Sequence, residues 1–314
     1  MNKKVILLVL LLIVLAACFI PVTEEKTISV KASFFNSYHI LSNPDGWKKW
    51  RPDLRNIPAA DTGKISIRKD TGSFSIQYPD LALNVKMAGG LFTIDDHSDN
   101  KSTGYSYMAE PAKLPNITII TVDKKVSAIN YLLHQFNEAT FADTHIDDFK
   151  TFMETDSLRY GCNIFKTGVP EGNLIVINKT VVSKDKFTEA AKMLANLQQY
   201  VKKHSITTKQ LIAQFLNKEL TDSVQLKVGY FLDKEAVSEN DVVFTRMPKG
   251  GPLYAAKFTG SFKDRLKVYA GLREYFTDHL YQQAILPFEF YLDNKLPASD
   301  TDKVNIQVNF STYF

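Results

Sequence analysis

Cysteine is scarce: 314 residues hold two, Cys18 and Cys162. Cys18 lies inside an N-terminal apolar run, so the folded part has no pair for a disulfide framework. Cys162, in Tyr160-Gly161-Cys162-Asn163, has no convincing histidine partner and reads as a structural or incidental thiol, as free cysteines commonly are. Histidine forms no metal pattern. His39, His97, His134 and His145 are scattered, without H-x-x-x-H or H-E-x-x-H spacing, and read as ordinary polar residues. Charge of one sign is lacking too. A net charge of +4 without a basic stripe interleaved with aromatics, and without a helix-turn-helix pattern, gives no case for nucleic acid as a partner. No G-x-S-x-G elbow, Cys/His pair, Walker loop or metal-ligand spacing marks a catalytic constellation, and no cofactor or metal is implied.

What is present is apolar material: 45% hydrophobic and 12% aromatic residues, ample for packed cores over two ordinary domains. The N-terminus reads as an anchor, residues 1–22. Asn2-Lys3-Lys4 is a positive lead, and 5–20 is an apolar run, short of the ~20 residues of a spanning helix and long for a signal core. Leu15-Ala16-Ala17-Cys18 resembles the bacterial lipobox, in which cleavage precedes a cysteine that then carries lipid. Cys18 is thus a candidate lipidation site. The alternative is a retained transmembrane helix with Lys3 and Lys4 held inside. Either way the expectation is a membrane tether with the soluble part outside the cytoplasm, periplasmic or at the cell surface.

Alternating residues predict a half-buried strand over 27–32, followed by a short helix and Asn43-Pro44-Asp45-Gly46-Trp47-Lys48-Lys49-Trp50-Arg51-Pro52. Trp47 and Trp50, three apart, share one face of a helical turn and read as a lid on a sheet. Strands are expected over 64–68, 74–78, 83–87, 91–95, 103–108 and 117–126, punctuated by Gly, Pro, Asp and Asn as in an antiparallel meander. A helix over 143–158 with Ile146, Phe149 and Met153 on one face closes the region. This order of elements, with Trp47, Trp50 and Pro52, resembles the SRPBCC (START-like, polyketide-cyclase-like) helix-grip superfamily over residues 25–160. That resemblance implies an apolar cavity between sheet and helix.

Residues 161–172, with two Gly and a Pro beyond Cys162, read as a linker. Beyond it an internal repeat emerges. A strand over 174–182 and a helix over 184–204, with Phe187, Ala190, Leu194, Leu197 and Val201 on one face, return about 75 residues later. The second copy has a strand over 253–258 and a helix with Phe262, Leu266, Tyr269, Leu272 and Phe276 on one face. Phe215-Leu216-Asn217-Lys218-Glu219-Leu220 has its counterpart in Tyr291-Leu292-Asp293-Asn294-Lys295-Leu296, and final strands over 225–232 and 304–310 complete the copies. Two strand–helix–strand–strand units predict one continuous pseudo-two-fold sheet with a groove along the axis.

Within the second copy lies Leu286-Pro287-Phe288-Glu289-Phe290-Tyr291-Leu292-Asp293, a lone carboxylate between aromatics. As an alternating edge strand it would place Glu289 in water. Buried, Glu289 would need compensation, for which a cation clasped by aromatic faces would serve. Met247-Pro248, Gly260-Ser261-Phe262, the helix and Pro287-x-Glu289-x-Tyr291-Leu292-Asp293 together resemble the GyrI-like small-molecule-binding domain over 173–314. The resemblance implies that Glu289 faces a pocket and accepts cationic or polar ligands. Phe262 stands where that family usually has Tyr, and no helix-turn-helix half is present. The fold class expected is therefore α+β: an SRPBCC-like helix-grip domain, then a GyrI-like domain of two repeats.

The leading functional reading is a membrane-tethered binding module for an amphipathic or cationic small molecule. Its site would comprise Glu289, Tyr291, Tyr254, Phe258, Phe262 and Phe276, although Phe258 and Phe276 read more readily as plain core. The resemblance also admits a hydrolase of reactive cyclic amides or imides with Glu289 as general base. A third reading is a carrier of an apolar metabolite in the SRPBCC cavity.

Overall fold

The computed structural model describes Val5, Ile13 and residues 20–98, 101–128, 130–131, 141–217 and 221–313. Cys18 with its lipobox quartet, and His134, lie outside the described residues. Among the described residues no helix is long and apolar enough to cross a membrane. The chain divides into two compact units, Met1–Arg159 and Tyr160–Phe314, and its class is α+β with two antiparallel sheets.

The first unit opens on β1 (Pro21–Val30), followed by α1 (Phe34–Leu41), α2 (Pro44–Trp50) and α3 (Pro52–Arg55). The meander is β2 (Ser66–Asp70), β3 (Ser73–Tyr78), β4 (Leu81–Ala88), β5 (Leu91–Ser98), β6 (Lys101–Pro111) and β7 (Thr118–Ser127). The sheet runs β1-β7-β6-β5-β4-β3-β2, so the first strand docks on the last, from Pro21 opposite Ser127 to Val30 opposite Thr118. Side-chain period sets the buried face: Leu81, Leu83 and Val85 of β4 point inward while their neighbours do not. Local caps start the helices. Ser33 accepts the Asn36 N–H and Asn43 accepts the Asp45 N–H, with Pro44 in the first turn.

Trp47 and Trp50 are fully buried. Their rings lie 4.8 Å apart, Trp47 against Phe74 and Tyr107, and Trp50 edge-on to Phe149. The Trp47 indole N–H donates to the Leu41 carbonyl at 2.7 Å. Among the described residues, aromatic rings pack between the sheet and the helix that carries Phe149, where the resemblance implies a cavity. The single closing helix expected over 143–158 is two: α4 (Ile146–Glu154) and α5 (Asp156–Arg159), parted at Thr155, whose backbone is extended.

The second unit holds β8 (Phe165–Gly168), β9 (Asn173–Val182), α6 (Lys186–Lys203), β10 (Thr208–Asn217) and β11 (Ser223–Leu232). After them come β12 (Val243–Arg246), β13 (Pro252–Ser261), α7 (Leu266–Asp278), β14 (Phe288–Tyr291) and β15 (Lys303–Ser311). Its sheet runs β12-β9-β11-β10-β14-β15-β13-β8. Reading outward from the β10–β14 seam gives β10, β11, β9 on one side and β14, β15, β13 on the other. Each arm is one copy of the repeat, so the pseudo-two-fold axis passes between β10 and β14.

Two expectations are corrected here. Residues 161–172 are not a linker: β8 hydrogen-bonds to β13, Phe165 opposite Ala255 through Gly168 opposite Pro252, so the stretch belongs to the sheet. Leu266 is exposed rather than on the buried stripe. The chain from Phe262 to Arg265 forms a 3-10 turn, and the stripe that faces inward runs Arg265, Tyr269, Leu272, Phe276, at i, i+4, i+7 and i+11. An arginine takes the place expected for a leucine.

Candidate functional site

β14 is short, but it sits inside the sheet, between β10 and β15, with Ala213 opposite Glu289 on one side and Val308 on the other. The edge-strand reading with Glu289 in water therefore fails: the side chain is wholly buried. A carboxylate in such a place demands partners, and three donors supply them. Arg265 Nε donates to Oε1 at 2.7 Å, the Tyr269 hydroxyl donates to the same oxygen at 2.9 Å, and the Tyr291 hydroxyl donates to Oε2 at 2.7 Å.

Arg265 is itself held on all sides. Its guanidinium carbon lies 3.4 Å from the centre of the Phe262 ring and 5.8 Å from that of Phe215. Its Nη1 donates to the Phe262 carbonyl at 3.0 Å. Planar guanidinium on an aromatic face, with a carboxylate at its edge, combines cation–π attraction and a charge-assisted hydrogen bond. Burial, and after it the Glu289 charge, pushes the Tyr269 and Tyr291 hydroxyls well above the usual tyrosine range, so both stay protonated donors.

The repeat shows how one-sided this cluster is. Phe262-Lys263-Asp264-Arg265 corresponds to Ser183-Lys184-Asp185-Lys186, each a 3-10 turn leading into its helix. Where the second copy has Arg265, Tyr269, Glu289 and Tyr291, the first has Lys186, Ala190, Ala213 and Phe215. Lys186 turns to Asp300 instead, at 2.9 Å. All four polar members thus come from one copy, and the other supplies the ring of Phe215.

The sequence-derived residues fall into two groups and an outlier. Glu289, Tyr291 and Phe262 meet around Arg265. Tyr254 of β13 and Phe276 near the end of α7 lie in a ring cluster with Tyr275 and Tyr281, Tyr254 stacked on Tyr281 at 4.7 Å between centres. Phe310 links the groups, 5.4 Å from Phe276 and 5.9 Å from Tyr269. Phe258 stands apart, its ring folded over Gly260, where an added Cβ would meet it at 2.7 Å. Sequence reading missed Arg265, because a cation next to Lys263 and Asp264 looks like a solvated helix start. Its position four residues before Tyr269 was the available signal. Tyr269 was placed correctly on the inward stripe, yet as core alone.

Phe187 links the cluster to a surface cavity. Its ring packs edge-on to Phe262 at 5.4 Å and lies 6.2 Å from Phe215. It also lines a groove of about 660 Å³ whose apolar walls include Ala191, Leu194 and Ala195 of α6 and Leu296 and Pro297 of the loop between β14 and β15. In the first unit a depression of about 510 Å³ has a mixed lining, with Leu91, Ile94 and Tyr105 beside Asp95, Asp123 and Lys125. Among the described residues no three of His, Cys, Asp and Glu converge as metal ligands would.

No family model matches this chain, and no curated protein matches it. Among solved structures it is similar to the EcmrR C-terminal domain, at 17% identity over 48% of this chain and 96% of that one, TM-score 0.38. A hydrolase from Listeria innocua aligns at 11% identity over 48% and 91% of the two chains, TM-score 0.34. A START superfamily protein from Mycobacterium smegmatis aligns at 14% identity over 42% and 97%, TM-score 0.29.

Proposed function

We propose that the second unit is a receptor for an amphipathic or cationic small molecule, held at the Glu289 cluster, in a protein tethered to a membrane by its N-terminus and working outside the cytoplasm. The observation that carries the reading is a wholly buried carboxylate beside the repeat axis, present in one copy only, bonded by Tyr269, Tyr291 and a cation, Arg265, that itself lies on the Phe262 ring. An apolar pair of like volume is often as stable as a buried ion pair, so the retention of this one is read as functional. The groove beside Phe187 supplies apolar surface for a tail.

The receptor reading is favoured over hydrolysis of cyclic amides because the group already seated on Glu289 is a cation lying on an aromatic face, Arg265. The ring contacts among Trp47, Trp50 and Phe149 weigh against the apolar carrier reading. Native mass spectrometry of the full chain purified from its source tests the proposal. A retained organic molecule, lost in Glu289→Gln, is the expected result. Complete absence of retained mass, together with unaltered binding of cationic probes by Glu289→Gln, would sink it.

A further inference from the structure

We infer that Arg265 is a tethered stand-in for the ligand: the site recognises a planar, charge-delocalised cation of the guanidinium or amidinium class, and binding exchanges that head group for the Arg265 side chain. The inference rests on the receptor reading and names the ligand's head group. It starts from what surrounds Arg265: a carboxylate oxygen at its Nε, a carbonyl oxygen at its Nη1, and an aromatic face 3.4 Å beneath its plane. Those three elements, two in-plane acceptors and one π face, fit a flat cation and fit an ammonium point charge poorly. Glu289 and Tyr291 lie on a strand inside the sheet, whereas Arg265 lies at the junction of a four-residue 3-10 turn and α7. The acceptor is fixed and the occupant hangs from a turn.

The surroundings also say where a ligand's remainder would go. Phe187 is only partly buried and forms a wall common to the Arg265 cage and the apolar groove. A rotation of that one ring would join groove and cage, giving a flat cationic head a seat on Phe262 and its apolar tail a seat against Leu194, Leu296 and Pro297. In the first copy the position of Arg265 is held by Lys186, which is committed to Asp300, and core alanines, Ala190 and Ala213, stand where Tyr269 and Glu289 are.

Chemical rescue of the full-length chain tests this, with ethylguanidinium and benzamidinium as probes and ethylammonium as control. Arg265→Ala should melt lower than the unaltered chain, and both planar cations should raise its midpoint saturably. Ethylammonium should not, and Arg265→Ala/Glu289→Gln should show no rescue. Half-saturation should come at roughly a tenfold lower concentration in Arg265→Ala than in the unaltered chain, where Arg265 competes, as the loss of a charge-assisted contact implies. Equal response in all three proteins, or none in Arg265→Ala, would overturn the inference. If the variants do not fold, the Arg265 Nε–H resonance of the unaltered chain decides. Benzamidinium should move it from its protected position into rapid exchange, and an unmoved resonance at saturating probe would overturn the exchange. A retained molecule in native mass spectra combined with an unmoved Arg265 would leave the receptor standing and remove the stand-in.

Discussion

At the scale of residues, the Glu289–Arg265 pair sets the energetics of the second unit. Both partners are out of water, so removing one leaves the other as an uncompensated charge, whose cost is about 3–5 kcal/mol. Glu289→Gln should lower the unfolding free energy of this unit by that amount in urea melts, and Arg265→Met/Glu289→Gln should recover most of it. Tyr269→Phe and Tyr291→Phe each delete a donor to a charged acceptor and should cost about 1.5–3 kcal/mol. The same hydroxyls predict an alkaline transition. Their folded pKa values are raised, so the folded state keeps protons that the unfolded chain releases above pH of about 10. Their contribution is complete below that pH and falls above it by about 1.4 kcal/mol per pH unit for each tyrosine. Urea melts between neutral pH and the alkaline range check this, and the slope should lose one tyrosine's share in Tyr269→Phe. Glu289 was legible in the sequence as a lone charge among aromatics. Its partner was not, because Arg265 belongs to a run of charged residues, and only the helical register shows that it faces inward.

At the scale of elements, the strand–helix–strand–strand repeat was legible because apolar period and a repeated Leu-Asn/Asp-rich segment carry it. The strand β8 was not. Phe165-Lys166-Thr167-Gly168 has no period to read and becomes a strand only by pairing with β13, far along the chain. Residues ahead of it matter as well. The Tyr160 hydroxyl donates to Asp278 at 3.0 Å, and the Tyr160 carbonyl lies 2.1 Å from where a Cβ on Gly271 would sit. Gly271 is in mid-helix, a place where alanine would ordinarily gain about 1 kcal/mol. Here backbone contact requires the missing side chain, so Gly271→Ala should destabilise by about 1–3 kcal/mol, measured by thermal melts of the full chain. A fragment spanning 160–314 should unfold cooperatively. One spanning 173–314 should be weaker by at least about 2 kcal/mol, since it loses the burial of Tyr160 and Val169. Equal stability of the two fragments would count against β8 as part of the sheet.

At the scale of the whole molecule, two antiparallel sheets, each with its own core, carry different chemistry. The first unit holds a buried Arg51–Asp96 pair at 2.7 Å amid its aromatics; the second holds the Arg265–Glu289 pair beside a pseudo-symmetry axis whose other half is apolar. The asymmetry predicts one ligand and one orientation per chain. The tether proposed from Leu15-Ala16-Ala17-Cys18 predicts a mature chain that begins at Cys18 with added acyl mass, abolished in Cys18→Ser. An intact Met1 on membrane-extracted protein would replace the lipid by a retained helix. The central claim, that Glu289 is the charge a ligand meets, is tested most directly by titration calorimetry with a lipophilic amidinium and its neutral amide analogue. Measured on the unaltered chain and on Glu289→Gln under conditions where both are folded, the account predicts a loss of about 1–3 kcal/mol for the cation and almost none for the amide. Equal cation affinity in the two proteins would contradict it.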